Sequence, residues 1–125
     1  MVLILLTVLI ILLCVQSHKI FLNLSNELNI SIILIIISHF LHVLLFTLLY
    51  YLEIDNMMGT HDNAYIDLIY YSISTYTTLG IGDIYFTVDA RIISGIQAII
   101  GLIMIAWSAS HIYLCLLYTS PSPRD

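Results

Sequence analysis

The stretch that decides the fold is "TYTTLGIGDI", Thr75–Ile84, a polar run that contains two glycines. Long apolar segments lie on both sides of it, at Ile30–Leu52 and Ile92–Leu114. Each of these segments is long enough to cross a bilayer as a helix, which takes roughly 20 apolar residues. The glycine run must therefore be explained as a polar segment between two membrane-spanning helices.

The overall composition points to the same environment. Of the 125 residues, 61% are hydrophobic and 9% are charged, whereas charged residues make up about a quarter of a soluble domain. A chain of this size could not bury so much apolar surface in water. We therefore expect one membrane domain, rich in helix. The net charge is −5 and no basic patch is present, so we expect no nucleic-acid partner, and no motif predicts a cofactor.

A short segment between the two apolar spans reads as a separate helix. Residues 64–76, "AYIDLIYYSISTY", have Asp62 or Asn63 in front of them as the N-cap. This helix is too short to cross a bilayer. A segment of this kind with membrane on both sides indicates a re-entrant loop, and irregular backbone at that depth must be buried in protein or line a cavity.

The N-terminal part predicts one more span. Residues 1–16 are expected to form an N-terminal transmembrane helix, and the polar residues 17–29 a linker. The linker contains His18 and Lys19, the only basic cluster in the sequence, so the positive-inside rule places it in the cytoplasm.

The residue types of the 77–83 loop suit the binding of a dehydrated cation. Stripping water from such an ion requires a ring of oxygens at matching distances. Successive backbone carbonyls supply that ring only if residues of opposite handedness alternate, and left-handed residues favour glycine. Gly80 and Gly82 have this alternate spacing, Thr78 adds a hydroxyl, and Asp83 would concentrate cations at the outer mouth.

The same stretch resembles the pore module of potassium channels, whose filter reads T-V-G-Y-G-D. The resemblance covers about residues 30–114 and is closest to small bacterial potassium channel family proteins that have one extra N-terminal helix. It implies an all-α fold with an outer helix 30–52, a pore helix 64–76, a filter 77–83 and an inner helix 92–114. The filter and outer-mouth residues that it implies are Thr78, Leu79, Gly80, Ile81, Gly82 and Asp83.

Further roles follow from the resemblance. It implies that the pore helix is supported by Tyr70, Tyr71, Ser74 and Thr77, with Ser74 at the place of an acidic residue of the family. Gly101 corresponds to the family's hinge glycine; close helix packing is the other interpretation. The resemblance also implies a homotetramer in lipid, with potassium as the permeant ion and no other metal. The expected location is the bacterial inner membrane, as a multi-pass protein without enzymatic activity.

Two filter positions depart from the family pattern. Leu79 replaces valine, and Ile81 replaces the tyrosine whose hydroxyl braces the filter. The alternatives are therefore a weakly selective monovalent cation channel and a non-conducting accessory subunit. A membrane enzyme or metal-binding protein is a third alternative, which would use the dispersed histidines His39, His42, His61 and His111.

Some polar residues inside the spans remain to be explained. His39 and His42 share one helix face and are expected to be neutral and hydrogen-bonded in the bundle, with a pH-sensing role as the alternative. Arg91 is expected to reach the outer interface or to pair with Asp89. We interpret Trp107 and Ser108 as packing residues.

The C-terminal residues 115–125, "CLLYTSPSPRD", differ sharply in character from the helix before them. One reading frame of a common sequencing-transposon adapter encodes this string. We therefore expect these residues to be an artefact, with the natural sequence interrupted near Leu114.

Overall fold

Three long helices and one short helix make up most of the molecule. The structure, a computed structural model, describes residues 2–24, 27–87 and 90–119. The helices are α1 (Val2–Asn23), α2 (Leu28–Leu52), α3 (Ala64–Tyr76) and α4 (Ala90–Thr119). In the described part of the chain, α1, α2 and α4 are long and apolar enough to cross a membrane. This is the all-α architecture of a multi-pass membrane protein.

The boundaries of the first helix differ from the prediction. Helix α1 continues to Asn23, so the predicted end at residue 16 and the predicted linker 17–29 are wrong. Only residues 24–27 separate α1 from α2, and so short a connection makes the two helices antiparallel neighbours. Two polar residues of this part of α1 contact α2: Ser17 lies 3.4 Å from His42, and His18 lies 3.0 Å from Ser38.

The last helix is also longer than predicted. Helix α4 includes residues 115–119, and residues 120–125 lie outside the described residues. That residues 115–125 are an artefact stays a prediction.

Helix α3 occupies the residues of the predicted short helix, Ala64–Tyr76. Asn63 is its N-cap, with an extended backbone (φ −128°) and a side-chain oxygen that accepts from the Ile66 backbone N–H at 3.5 Å. Asp67 in the first turn accepts from the backbone N–H groups of Asp62 and Asn63, both at 2.9 Å. These bonds satisfy donors that a helix start would otherwise leave unpaired.

A small antiparallel sheet closes the polar end of the fold. Strand β1 (Met57–Gly59) precedes α3, and strand β2 (Ile84–Phe86) follows the glycine run. Their register pairs Met57 with Phe86 and Gly59 with Ile84. The sheet therefore joins the segment before α3 to the segment after the glycine loop.

The buried core lies where the four helices and the sheet meet. Phe86 of β2 stacks on Tyr50 of α2, with ring centroids 5.0 Å apart, and also contacts Tyr71 of α3. Phe46, Tyr50 and Phe86 are almost completely buried. The aromatic core thus sets the position of α3 relative to α2.

Candidate functional site

The loop that follows α3 is folded back onto the end of that helix. The Thr77 backbone N–H and hydroxyl donate to the Ile73 carbonyl at 3.0 and 2.8 Å. The Ser74 carbonyl accepts from the backbone N–H groups of Leu79 and Gly80, at 2.9 and 3.3 Å. The helix end therefore determines where the loop begins, and Ser74 takes part through its carbonyl.

Left-handed residues occur at every second position of the loop. The φ angles of Thr78, Gly80 and Gly82 are 60°, 52° and 86°, and Thr78 is the only described non-glycine residue with positive φ. Left-handed φ is easy for glycine and costs a residue with a Cβ roughly 1–2 kcal/mol. The two glycines thus have the handedness that the sequence predicts, and the left-handed Thr78 was not foreseen.

Asp83 is fixed at the other end of the loop. Its carboxylate accepts from the Tyr70 hydroxyl at 2.9 Å and from the Ile84 N–H at 3.0 Å, and its carbonyl accepts from the Thr60 N–H at 3.0 Å. The hydrogen bond to Asp83 raises the pKa of the Tyr70 hydroxyl. A Cβ at Gly59 would collide with the Asp83 carbonyl oxygen. Contacts from Tyr70 of α3 and from the end of β1 therefore fix the position of Asp83.

A buried polar network holds α3 against its neighbours. The Tyr50 hydroxyl of α2 donates to the Gln97 side-chain oxygen of α4 at 2.7 Å. The Gln97 amide nitrogen donates to the Ser72 hydroxyl at 2.7 Å, and that hydroxyl donates to the Val43 carbonyl at 2.9 Å. Gln97 was missed by the sequence reasoning, since one amide in an apolar helix gives no periodic signal.

Tyr71, predicted to support the short helix, lies beside α4. Its hydroxyl is 2.6 Å from the Ser94 hydroxyl, and its ring meets the Tyr50 ring edge to face at 5.0 Å. It therefore packs between α2 and α4, while Tyr70 lies at the Asp83 end of the loop.

Gly101 of α4 lies against the end of α3. A Cβ at this position would collide with the Tyr76 carbonyl oxygen, and Gly101 itself is buried. Helix α4 is continuous through this point. The close approach of two helices therefore explains the glycine, and the hinge role stays a prediction.

Three histidines meet on the inner side of α3, although they are far apart in the sequence. His18 of α1 lies 5.6 Å from His39 and 5.7 Å from His42 of α2, measured between ring centroids. His18 is completely buried, which overturns its predicted place in a cytoplasmic linker. Ser108 hydrogen-bonds two of these rings, so the interpretation of Ser108 as a packing residue is wrong.

The remaining histidines lie elsewhere. His61 is exposed in the segment before α3, and His111 contacts the Cys115 sulfur at 3.5 Å. Among the described residues, no group of three or more histidine, cysteine, aspartate or glutamate side chains has the geometry to hold a metal ion. Arg91 is exposed, and its proposed partner Asp89 lies outside the described residues.

The comparison with known families agrees with this geometry. The profile of a family described as an ion channel matches residues 30–116, which contain nearly all of α2, the sheet, α3, the glycine loop and nearly all of α4. The chain belongs to this ion channel family and is a multi-pass membrane protein. No curated protein and no solved structure matches the chain.

Proposed function

We propose that this chain is one subunit of a homotetrameric channel that passes potassium ions down their gradient and catalyses no reaction. The observation that carries the proposal is the alternation of left-handed and right-handed residues from Thr78 to Gly82. Alternating handedness turns successive carbonyls to the same side, whereas in an ordinary strand they point to opposite sides. A row of carbonyls on one side is what a dehydrated potassium ion requires.

The exposure of the loop supports assembly of several chains. Leu79 and Ile81 are 64% and 58% exposed in the single chain, and the rest of the loop is exposed as well. Irregular backbone at membrane depth must be covered by protein or line a water-filled cavity. Further copies around an axis would meet both conditions, because each copy would cover its neighbour and contribute one edge of the pore. The resemblance to potassium channels sets the number at four.

The charges around the loop favour a cation. Asp83 places a carboxylate at one end of the loop, held by Tyr70 and Ile84. Helix α3 points its C-terminus, the negative end of its dipole, toward the other end. A cation would therefore meet a carboxylate at the outer mouth and partial negative charge below the filter.

The hydrogen bonds of the loop support potassium selectivity despite Ile81. The family's tyrosine brace is replaced by other contacts: Ser74 holds Leu79 and Gly80 from below, and Tyr70 and the sheet hold Asp83 from above. A carbonyl ring that is anchored at both ends keeps the spacing that discriminates between ions of different radius.

Potassium flux from liposomes tests the proposal. Gly80→Ala puts a Cβ on a left-handed residue, which costs roughly 1–2 kcal/mol and would turn the carbonyls away from the axis. Gly95→Ala is the matched control, because Gly95 is helical and has nothing within 4 Å of an added Cβ. We expect potassium flux from the native protein and from Gly95→Ala, and little from Gly80→Ala. Equal flux from the two variants would contradict a filter at Gly80.

A further inference from the structure

The three histidines form one continuous hydrogen-bonded chain with Tyr76 and two serines, which we call the histidine cluster. Its members come from all four helices and are Ser38, His18, Ser108, His39, Tyr76 and His42. At its far end, His42 Nε2 is 3.0 Å from the Cys14 carbonyl oxygen of α1. The cluster therefore connects α1, which precedes the residues matched by the ion channel family, to the helix that ends at the glycine loop.

The directions of these hydrogen bonds are fixed from the Cys14 end. A carbonyl only accepts, so His42 Nε2 carries a proton. In neutral His42, Nδ1 then accepts from the Tyr76 hydroxyl at 3.2 Å. Because the Tyr76 hydroxyl donates its hydrogen to His42, its oxygen accepts from His39 Nδ1 at 2.7 Å. His42 and His39 thus donate through different ring nitrogens.

The same reasoning continues to the other end. With Nδ1 protonated, His39 Nε2 accepts from the Ser108 hydroxyl at 2.9 Å. Ser108 in turn accepts from His18 Nε2 at 3.2 Å, and His18 Nδ1 accepts from the Ser38 hydroxyl at 3.0 Å. All six ring nitrogens have partners, and a single arrangement of protons satisfies them when the three rings are neutral.

Among the residues that the structure describes, the helices packed around the rings provide no carboxylate beside them for an added positive charge. Helix α2 contains no charged residue, α1 contains only Lys19 and α4 only Arg91, and Asp67 lies in the first turn of α3, at the opposite end from Tyr76. The other titratable groups that face the rings are Cys14 of α1, Tyr76 of α3 and His111 of α4. None of these is a carboxylate, so a charged imidazole here would be buried without a counter-ion.

The cluster also includes the residue that leads into the glycine loop. Tyr76 is the last residue of α3, and its carbonyl lies against Gly101. Ser74, two residues earlier, holds Leu79 and Gly80. A displacement of the Tyr76 side chain would therefore be transmitted to the start of the glycine loop.

We propose that the histidine cluster is the link through which α1 holds the inner end of the glycine loop in position, and that this link is intact only while its three histidines are uncharged. His18 is the positioning residue that α1 contributes. A proton that binds to any of the three rings turns its accepting nitrogen into a donor, so the serine or tyrosine hydroxyl that donated to this nitrogen loses that acceptor, and the buried charge has no counter-ion. The consequence for ion flux rests on the proposed channel function, whereas the link itself does not.

Trp107 provides a readout that does not require conduction. It is the single tryptophan of the protein, and its ring centroid lies 5.3 Å from that of His18. Its fluorescence therefore reports on the charge and position of His18. We would measure this fluorescence and potassium flux on the same liposomes between about pH 8 and about pH 3.5, a range that extends to the acid side of ordinary histidine titration because a charged ring in this site would have no counter-ion.

We expect both signals of the native protein to change together and reversibly. Losing roughly one net hydrogen bond shifts an equilibrium about fivefold, so potassium flux should fall toward the acidic end by at most that factor. His18→Gln cannot be charged and has an amide that can replace both hydrogen bonds of His18. It should lose the fluorescence change and weaken the acid response of the flux. The matched control His61→Gln changes an exposed histidine outside the cluster and should behave as the native protein.

Two results would overturn the proposal. One is Trp107 fluorescence of the native protein that is the same at both ends of the pH range. The other is His18→Gln protein whose fluorescence and potassium flux respond to acid as those of the native protein do. Native protein that conducts at no pH, but whose Trp107 signal titrates and loses its titration in His18→Gln, would contradict the channel function and support the link.

Discussion

At the scale of single residues, two glycines have different physical roles. Gly80 is required for its left-handed backbone, with open space where a Cβ would be, whereas Gly101 is required for space at ordinary helical angles. The two substitutions to alanine should therefore fail in different ways. Gly80→Ala should affect conduction, and Gly101→Ala should affect the packing of α3 against α4.

We predict that Gly101→Ala lowers the free energy of unfolding by about 1–3 kcal/mol, because the added Cβ must push the Tyr76 carbonyl away. Gly95→Ala on the same helix should be neutral or stabilising, since alanine is the better helix former. Thermal unfolding of the purified variants in detergent checks the difference. If Gly101→Ala is as stable as Gly95→Ala, α3 and α4 do not approach closely at Gly101, and that result would favour the hinge interpretation.

A second residue-scale prediction concerns Gln97. Gln97→Leu leaves the Tyr50 hydroxyl without its acceptor and the Ser72 hydroxyl without its donor, all in a buried site. We expect a loss of about 1–3 kcal/mol in the free energy of unfolding.

Gln16→Leu is the matched control, because Gln16 is exposed on a membrane-spanning helix. The same thermal measurement compares the two variants. Equal stability of Gln97→Leu and Gln16→Leu would show that the buried network contributes little to holding α3.

At the scale of elements, the parts with strong local signals could be predicted from the sequence. The bounds of α3 follow from its cap, Asn63, and from the glycine run beyond it. The spans α2 and α4 follow from their long and largely apolar sequences. The loop's left-handed positions followed from glycine spacing, and only Thr78 was missed, because threonine gives no sign of positive φ.

The parts that depend on distant partners could not be predicted. Helix α1 extends beyond its predicted end at residue 16, because Ser17 and His18 resemble loop residues when the sequence is considered alone. In the fold, Ser17 lies 3.4 Å from His42 and His18 lies 3.0 Å from Ser38, both residues of α2. The strands β1 and β2 have three residues each, too short for an alternating pattern to identify. The histidine cluster joins residues that are up to 90 positions apart.

At the scale of the whole molecule, the proposed channel needs more than one chain. In that proposal the glycine loop of each chain forms one edge of a cation-binding ring, and its side chains Leu79 and Ile81 are largely exposed in the single chain. The supports of that edge lie within the chain: the end of α3 at the start of the loop, Tyr70 and the sheet at Asp83, and the histidine cluster at Tyr76. Each subunit would therefore bring a preformed edge, and assembly would add the symmetry that closes the ring.

The most direct test of the central claim is the reversal potential of the reconstituted protein in a planar bilayer, with potassium on one side and sodium on the other. We expect current from the native protein that reverses far toward the potassium equilibrium potential, and no such current from Gly80→Ala. A reversal potential near zero would contradict potassium selectivity and would assign the protein to the weakly selective cation channels.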